Sequence, residues 1–165
     1  MEDNDPVSVS STPPPQPRRA FRLRWDVFLS FTREEDTRHG TFTAYLYRSL
    51  QNHGVRVFRH DNALDRDDVV VEAMEDSAAS IVIMSPNYVS SQWCLEKLSK
   101  LCECQRLLVL PVFYRVDPED VRRQRGALEE HFRNHEERFG KDKVMRWRRA
   151  MEKAGETPGW VFNDR

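Results

Sequence analysis

Four short apolar runs, separated by segments of helical periodicity, constrain this chain more than any other feature. Trp25-Asp-Val-Phe-Leu-Ser-Phe31, Val55-Arg-Val-Phe58, Ile81-Val-Ile-Met84 and Leu107 to Tyr114 read as strands. Between the first two, Phe42, Leu46 and Leu50 recur at a spacing of four, a helical stripe that stops before Gly54, a residue suited to a C-terminal cap. The polar loop His60 to Asp68 leads to a short helix ending near Ser77. Leu95, Leu98, Leu101 and Cys102 mark a further helix face; Leu128, Phe132 and His135, then Val144, Trp147 and Met151, mark two more. Unbroken apolar strands alternating with helices imply an α/β fold whose parallel sheet is covered on both faces. Right-handed crossovers and short connections favour a flavodoxin-like three-layer sandwich of four to five strands. The expected order is 2-1-3-4, with a short fifth strand near the C-terminal helices.

The chain has 165 residues, enough for one domain with tails. Residues 1–23, rich in Ser and Pro, read as a disordered N-terminal tail, 24–155 as the folded domain and 156–165 as a C-terminal tail. Lys plus Arg (26) nearly equals Asp plus Glu (27), so no overall field draws the chain to nucleic acid or to a membrane surface. No apolar run is long enough to span a bilayer, and the N-terminus carries no apolar core of a secretory signal. Three cysteines do not make a disulfide framework. The reading is a cytoplasmic or nucleocytoplasmic protein with reduced thiols.

Parallel sheets of this kind bind ligands outside the carboxyl ends of the strands, where the order reverses. Here that point lies between the first and third strands, which selects two loops, Thr32 to Arg38 and Ser85 to Trp93. A helix opening near Leu95 starts at the same edge, with Lys97 in its first turn.

Several motifs then carry a resemblance. Trp25 to Phe31 followed by Glu35-Asp-Thr-Arg38, Pro86-Asn-Tyr with Ser91-Gln-Trp-Cys-Leu95, and Leu110-Pro-Val-Phe-Tyr114 stand in order along the chain. Val116-Asp-Pro118, Val121-Arg-Arg-Gln124 and Trp147-Arg-Arg-Ala150 continue the series. Together they resemble plant TIR domains over roughly residues 24 to 155. The resemblance implies the same α/β fold and an intracellular immune-signalling module, usually fused ahead of a nucleotide-binding, leucine-rich-repeat receptor. It implies association with itself and other TIR domains, a TIR-type receptor included. Many such domains cleave NAD at the nicotinamide–ribose bond, so NAD or NADP is the implied ligand or substrate, with no tightly bound cofactor and no metal. On this reading Phe31, Arg33, Arg38, Ser91 and Trp93 contact substrate, and Ala44, Tyr45 and Trp147 lie at interfaces. A TIR-only protein, a truncated product and an excised fragment all remain open.

Three departures from the family pattern matter. The family reads Trp-Cys-Leu-x-Glu-Leu; here Trp93-Cys-Leu-Glu-Lys-Leu98 puts Glu96 at the variable position and Lys97 at the catalytic one. Breaking a ribosyl–nicotinamide bond builds positive charge on the ribose, which a carboxylate stabilises and an ammonium does not. One charge at about 4 Å and an effective dielectric near 20 is worth roughly 4 kcal/mol, or about a thousandfold in rate. Glu96 is a substitute only if a shifted helix start turns it inward. Second, the loop from Leu64 to Ala73 is shorter than in relatives and carries Asp67 where glycine is common. This either reshapes the substrate crevice or is a deletion far from the chemistry. Third, Ala44 and Tyr45 replace a Ser-His pair at a self-association surface, and the first loop carries an added residue with Glu34 at a usual glycine.

Other constellations favour structural roles. Cys102-Glu-Cys104 lies on a helix where positions two apart do not share a face. His131 and His135 suit a solvated helix face, and Arg122, Arg123 and Arg125 sit among acidic residues that can pair with them. Trp93 by residue type alone would be core. Lys97 beside Ser91 also reads as a helix-terminal anion site that could hold a nucleotide phosphate uncleaved.

Overall fold

Five parallel strands form one sheet in the computed structural model, which describes residues 23–32, 41–59 and 66–162. They are β1 (Trp25–Ser30), β2 (Val57–Arg59), β3 (Ser77–Met84), β4 (Leu108–Tyr114) and β5 (Trp160–Phe162), in the order β2-β1-β3-β4-β5. The expected order 2-1-3-4 is therefore present, with the short fifth strand on the β4 edge. β3 begins earlier than its apolar run suggests, because Ser77-Ala-Ala-Ser80 is drawn into the ladder by β1: Trp25 pairs with Ser77 and Phe28 with Ser80. Ser80 Oγ also donates to the Phe28 carbonyl at 2.9 Å, which satisfies a hydroxyl on a fully buried face.

Seven helices accompany the sheet among the described residues. They are α1 (Phe42–Asn52), α2 (Asp67–Glu75), α3 (Pro86–Ser90), α4 (Gln92–Glu103), α5 (Pro118–Arg123), α6 (Ala127–Phe139) and α7 (Lys141–Glu156). α1 forms where the spacing-four stripe predicts it. Thr41 Oγ1 accepts from the Ala44 amide at the start, and Gly54, at φ 77°, closes the end. There the Gly54 amide bonds the Gln51 carbonyl and the Val55 amide bonds the Leu50 carbonyl, both at 3.0 Å, the paired pattern that a left-handed residue permits.

The described residues cover the two faces of the sheet unequally. α1 sets Phe42, Leu46 and Leu50 against Val27, Leu29, Phe31, Val57, Ile83 and Val112. The opposite face carries the larger core, where Phe28, Val82, Met84 and Phe113 meet apolar side chains from α2 through α7. The layers expected of a flavodoxin-like sandwich are present, with α1 the one helix on its face among the described residues.

The C-terminal boundary also lies further on than composition suggests. α7 runs past residue 155 to Glu156, and Trp160–Phe162, within the segment 156–165 read as a tail, pairs with Val112 to Tyr114. The tail reading of residues 1–23, other than its last residue, lies outside the described residues, as does that of 163–165.

α7 approaches α5 closely because Gly155 has no side chain. A Cβ there would lie 2.5 Å from the Arg122 amide nitrogen, a backbone atom that cannot swing aside. Gly155→Val should strain this contact by roughly 3 kcal/mol, which for a chain of this size lowers Tm by about 5–10 °C. Scanning calorimetry checks it; an unchanged or higher Tm contradicts the close packing.

Candidate functional site

The strand order reverses between β1 and β3, and the carboxyl ends of these strands flank the crevice in which sheets of this kind take a ligand. Two side chains tie its walls together. Ser85 Oγ accepts from the Tyr88 amide and so starts α3, and Tyr88, fully buried, shares a 2.9 Å hydrogen bond between its hydroxyl and Ser30 Oγ. The chain then turns at Ser91, whose Oγ accepts from the Cys94 amide at 3.3 Å and caps α4. Cys94 Sγ in turn sits 3.9 Å from the Phe31 carbonyl oxygen, which places this side of α4 against the end of β1.

Helix geometry then decides which α4 side chain meets the crevice. Successive residues differ by about 100° in direction. Lys97, three positions after Cys94, shares its side, whereas Glu96, two positions after, points away. Lys97 is 9 % exposed, so its long chain is folded into the protein rather than into solvent. Because α4 begins at Gln92, Lys97 stands in its second turn, not the first, and Ser91 spends its hydroxyl on the cap. Lys97 therefore stands one turn further from Ser91 than the sequence suggests, and Ser91 Oγ is engaged as the helix cap.

Glu96 has a different task. Its Oε2 accepts from Trp147 Nε1 at 2.7 Å, on the side of α4 that faces α7. This removes Glu96 as a substitute catalytic carboxylate, since an inward rotation would leave the indole N–H without its acceptor. The same contact corrects the reading of Trp147 as an interface residue. It is 1 % exposed and ringed by His135 and Phe139, so it has no surface to offer a partner.

The remaining site residues divide clearly. Phe31 is buried at the end of β1, with the Arg59 guanidinium 5.7 Å from its ring centre and 5.0 Å from that of Tyr47. Beside it Thr32 Oγ1 is buried without a hydrogen-bond partner. Trp93 is 59 % exposed on the first turn of α4, at the crevice rim and not in the core that its residue type suggests. Arg33 and Arg38 lie outside the described residues, as do the added first-loop residue at Glu34 and, of the segment from Leu64 to Ala73, Leu64 and Asp65; from Asp67, where glycine is common in relatives, that segment is already the helix α2. Tyr45 is exposed on α1 and Ala44 half-buried. Arg122, Arg123 and Arg125 pair with Glu119 and Asp120, as their acidic surroundings suggest. Cys102 and Cys104 are free thiols, both partly buried, and burial pushes the Cys102 thiol up.

A hollow of about 350 Å³ lined by Glu72, Glu75, Asp76 and Arg106 lies at the other end of the strands. Beside it Arg24 bridges Asp76 and Glu72, and Arg106 donates to the Glu75 backbone carbonyl.

With the crevice and its lysine placed, comparison with known proteins decides the family. A profile described as the TIR domain matches residues 24–164, nearly all of the chain beyond its N-terminal segment. The chain belongs to the TIR domain family. Disease resistance protein RPV1 of Vitis rotundifolia is 44 % identical over 165 residues, covering 96 % of this TIR chain and 11 % of that protein. TMV resistance protein N of Nicotiana glutinosa is 40 % identical, covering 86 % of this chain and 13 % of its own length. The TIR domains in the structure of the activated Roq1 resistosome, which directly recognises the pathogen effector XopQ, match with a TM-score of 0.74. That match has 40 % identity and covers 83 % of this chain and 87 % of that one. This TIR chain spans about a tenth of the length of these curated relatives. No helix among the described residues is long and apolar enough to cross a membrane.

One histidine links the helical layer to the site. His135, expected on a solvated face, is buried instead, with Nε2 3.2 Å from the Val89 carbonyl of α3. Burial pushes its pKa down, the Val89 bond opposes this, and the nearby His131 and Arg138 charges lower it further. The folded TIR domain thus favours neutral imidazole. The resulting stability is intact above about pH 6.5 and is lost as pH falls from there through the lower folded value. Urea midpoints should therefore decline from pH 7.5 to pH 5, and His135→Gln should flatten that decline; an equal slope in both proteins contradicts it.

Proposed function

We propose that this chain is a signalling TIR module of plant immunity that acts through association with other TIR domains and has weak or no NAD cleavage of its own. The observation that carries the reading is Lys97, folded in beside the end of β1 where the family pattern has a glutamate. An ammonium there opposes the positive charge that develops on the ribose as nicotinamide leaves. The neighbouring carboxylate, Glu96, is held by Trp147 on the other side of the helix and supplies no replacement. The relatives give the biological setting, since they are plant disease resistance proteins and the matching solved TIR domains belong to an activated resistosome. The partners on this reading are TIR domains, including that of a TIR-type receptor, in the cytoplasm or nucleocytoplasm.

A second reading, a nucleotide sensor that holds NAD or NADP intact, is favoured by exposed Trp93 at the rim and by the cations Lys97 and Arg59 near the strand ends.

Nicotinamide release from NAD, measured at high protein concentration, should be near background for the natural chain. Lys97→Glu should raise it on the order of a thousandfold. Vigorous, equal turnover in both proteins sinks the non-cleaving reading and favours an NAD glycohydrolase. The association half is tested separately, by light scattering of this chain mixed with the TIR domain of RPV1. A mixed complex is expected, and its absence for several plant TIR domains removes that half. Calorimetry with NAD and NADP distinguishes the sensor, whose binding should weaken in Lys97→Ala.

A further inference from the structure

A helix as short as α3 does not hold itself together, so its place depends on what its side chains and its end carbonyls meet. Tyr88 and Val89 are buried, and Tyr88 reaches Ser30 at the end of β1. A helix leaves its last carbonyls without internal donors. Here His135 Nε2 supplies one, donating to the Val89 carbonyl at 3.2 Å. Ser91 then closes α3 and caps α4 in a single residue, its amide on the Tyr88 carbonyl at 3.2 Å and its hydroxyl on the Cys94 amide. A shift of α3 is therefore passed directly to the first two turns of α4, which carry Cys94 and Lys97.

The imidazole that makes this bond sits where a positive charge is poorly accommodated. It is 8 % exposed, caged by the rings of Phe132, Phe139 and Trp147 at 5.4 to 6.2 Å between centres. Val89 is its one hydrogen-bond partner among the described residues, so a proton added at Nδ1 meets no acceptor among them. On α6 itself stand His131 and Arg138, with Glu136 paired to Arg148 of α7. Also from α7, the Arg148 guanidinium lies 4.8 Å from the Phe132 ring centre, and Lys143 lies 5.9 Å from those of Phe139 and Trp147. From α4, Glu96 is engaged by Trp147 Nε1, and α3 brings no charged side chain. Arg148 and Glu136 offset each other, so the balance left around His135 is cationic: Arg138, Lys143 and, in acid, His131.

We propose that His135 is a pH-sensitive brace: its protonation drives the ring out of the cage towards water, breaks the bond to Val89 and releases α3 while the sheet stays folded. Acid then loosens the α3–α4 junction, and with it the wall of the crevice that carries Lys97. What opens is small, five residues held at one end by a single outside hydrogen bond, the kind of segment that opens well below the free energy of global unfolding. The direction follows from burial, which favours the neutral ring in the closed arrangement. Release begins as the pH falls below about 6.5, the value of an imidazole in water, and grows down to the lower value of the caged ring. The switch concerns the shape of the crevice wall and stands whether or not the crevice cleaves NAD.

Hydrogen exchange, corrected for the intrinsic rate at each pH, should show the protection of residues 87–94 falling about tenfold between pH 7.5 and pH 5, with β1 and β3 unchanged. His135→Gln, which keeps an N–H donor but has no titrating group, should remove the fall. Arg138→Gln, at an exposed position, should make it shallower, because the caged ring then accepts its charge more readily. At pH 5 a disulfide reagent should label Cys94, 1 % exposed, in the natural chain and far more slowly in His135→Gln. Equal protection at the two pH values, a fall that survives in His135→Gln, or a Cys94 that stays closed in both proteins overturns the proposal. So does a fall shared equally by β1 and β3, which is unfolding of the whole domain and not release of α3. If His135→Gln does not fold, Arg138→Gln decides: an undiminished fall there overturns the brace, and a shallower one supports it.

Discussion

The bond from Trp147 Nε1 to Glu96 holds α4 at one rotation, and much of the crevice follows from that angle. Adjacent helix positions point about 100° apart, so a helix fixed with Glu96 towards α7 must present Cys94 and Lys97 towards β1. The bond is stronger than an isolated surface contact because its acceptor is a carboxylate and its donor is buried among rings. Removing the acceptor would leave an indole N–H unsatisfied in the helical core, which makes this rotation self-consistent. Which charge faces the crevice is thus decided on the far side of the helix.

That rotation sits within a chain of supports running outward from the strand ends. Ser30 holds Tyr88, Ser85 starts the helix that carries Tyr88, and the next residue after that helix caps α4. His135 braces the same short helix from behind through the Val89 carbonyl. Each link is a single hydrogen bond of modest worth. Their arrangement in series is what places α4 against Phe31, and a defect at any of them is felt at Lys97 without touching it.

Much of the architecture was legible in the sequence because it is written in periodicity. The stripe Phe42, Leu46, Leu50 with Gly54 beyond it, and the unbroken runs of β1 and β4, report burial directly. Ser77 to Ser80 carries no such mark; its strand character comes from pairing with β1, a long-range term that local pattern does not contain. The site was legible by position and by motif, which place Lys97 near the reversal of strand order. Its surroundings were not. That Glu96 meets Trp147, fifty-one residues away, depends on how α7 docks, and nothing in either local segment encodes it. Trp93 and Trp147 show the same limit from the other side: residue type suggested one for the core, resemblance suggested the other for a surface, and packing reversed both.

The fifth strand carries a consequence for how the molecule breathes. β5 is three residues long and joins the sheet only after the whole stretch from Arg115 to Gly159 has built three helices, with Gly159 tucked against the Pro111 carbonyl. Short pairing at the end of a long crossover forms late and opens early. When it opens, Val112 to Tyr114 of β4 become the sheet edge, and their amides and carbonyls offer a short template for strand exchange between molecules. The same three residues that complete the sheet therefore also act as its guard against fibrous assembly.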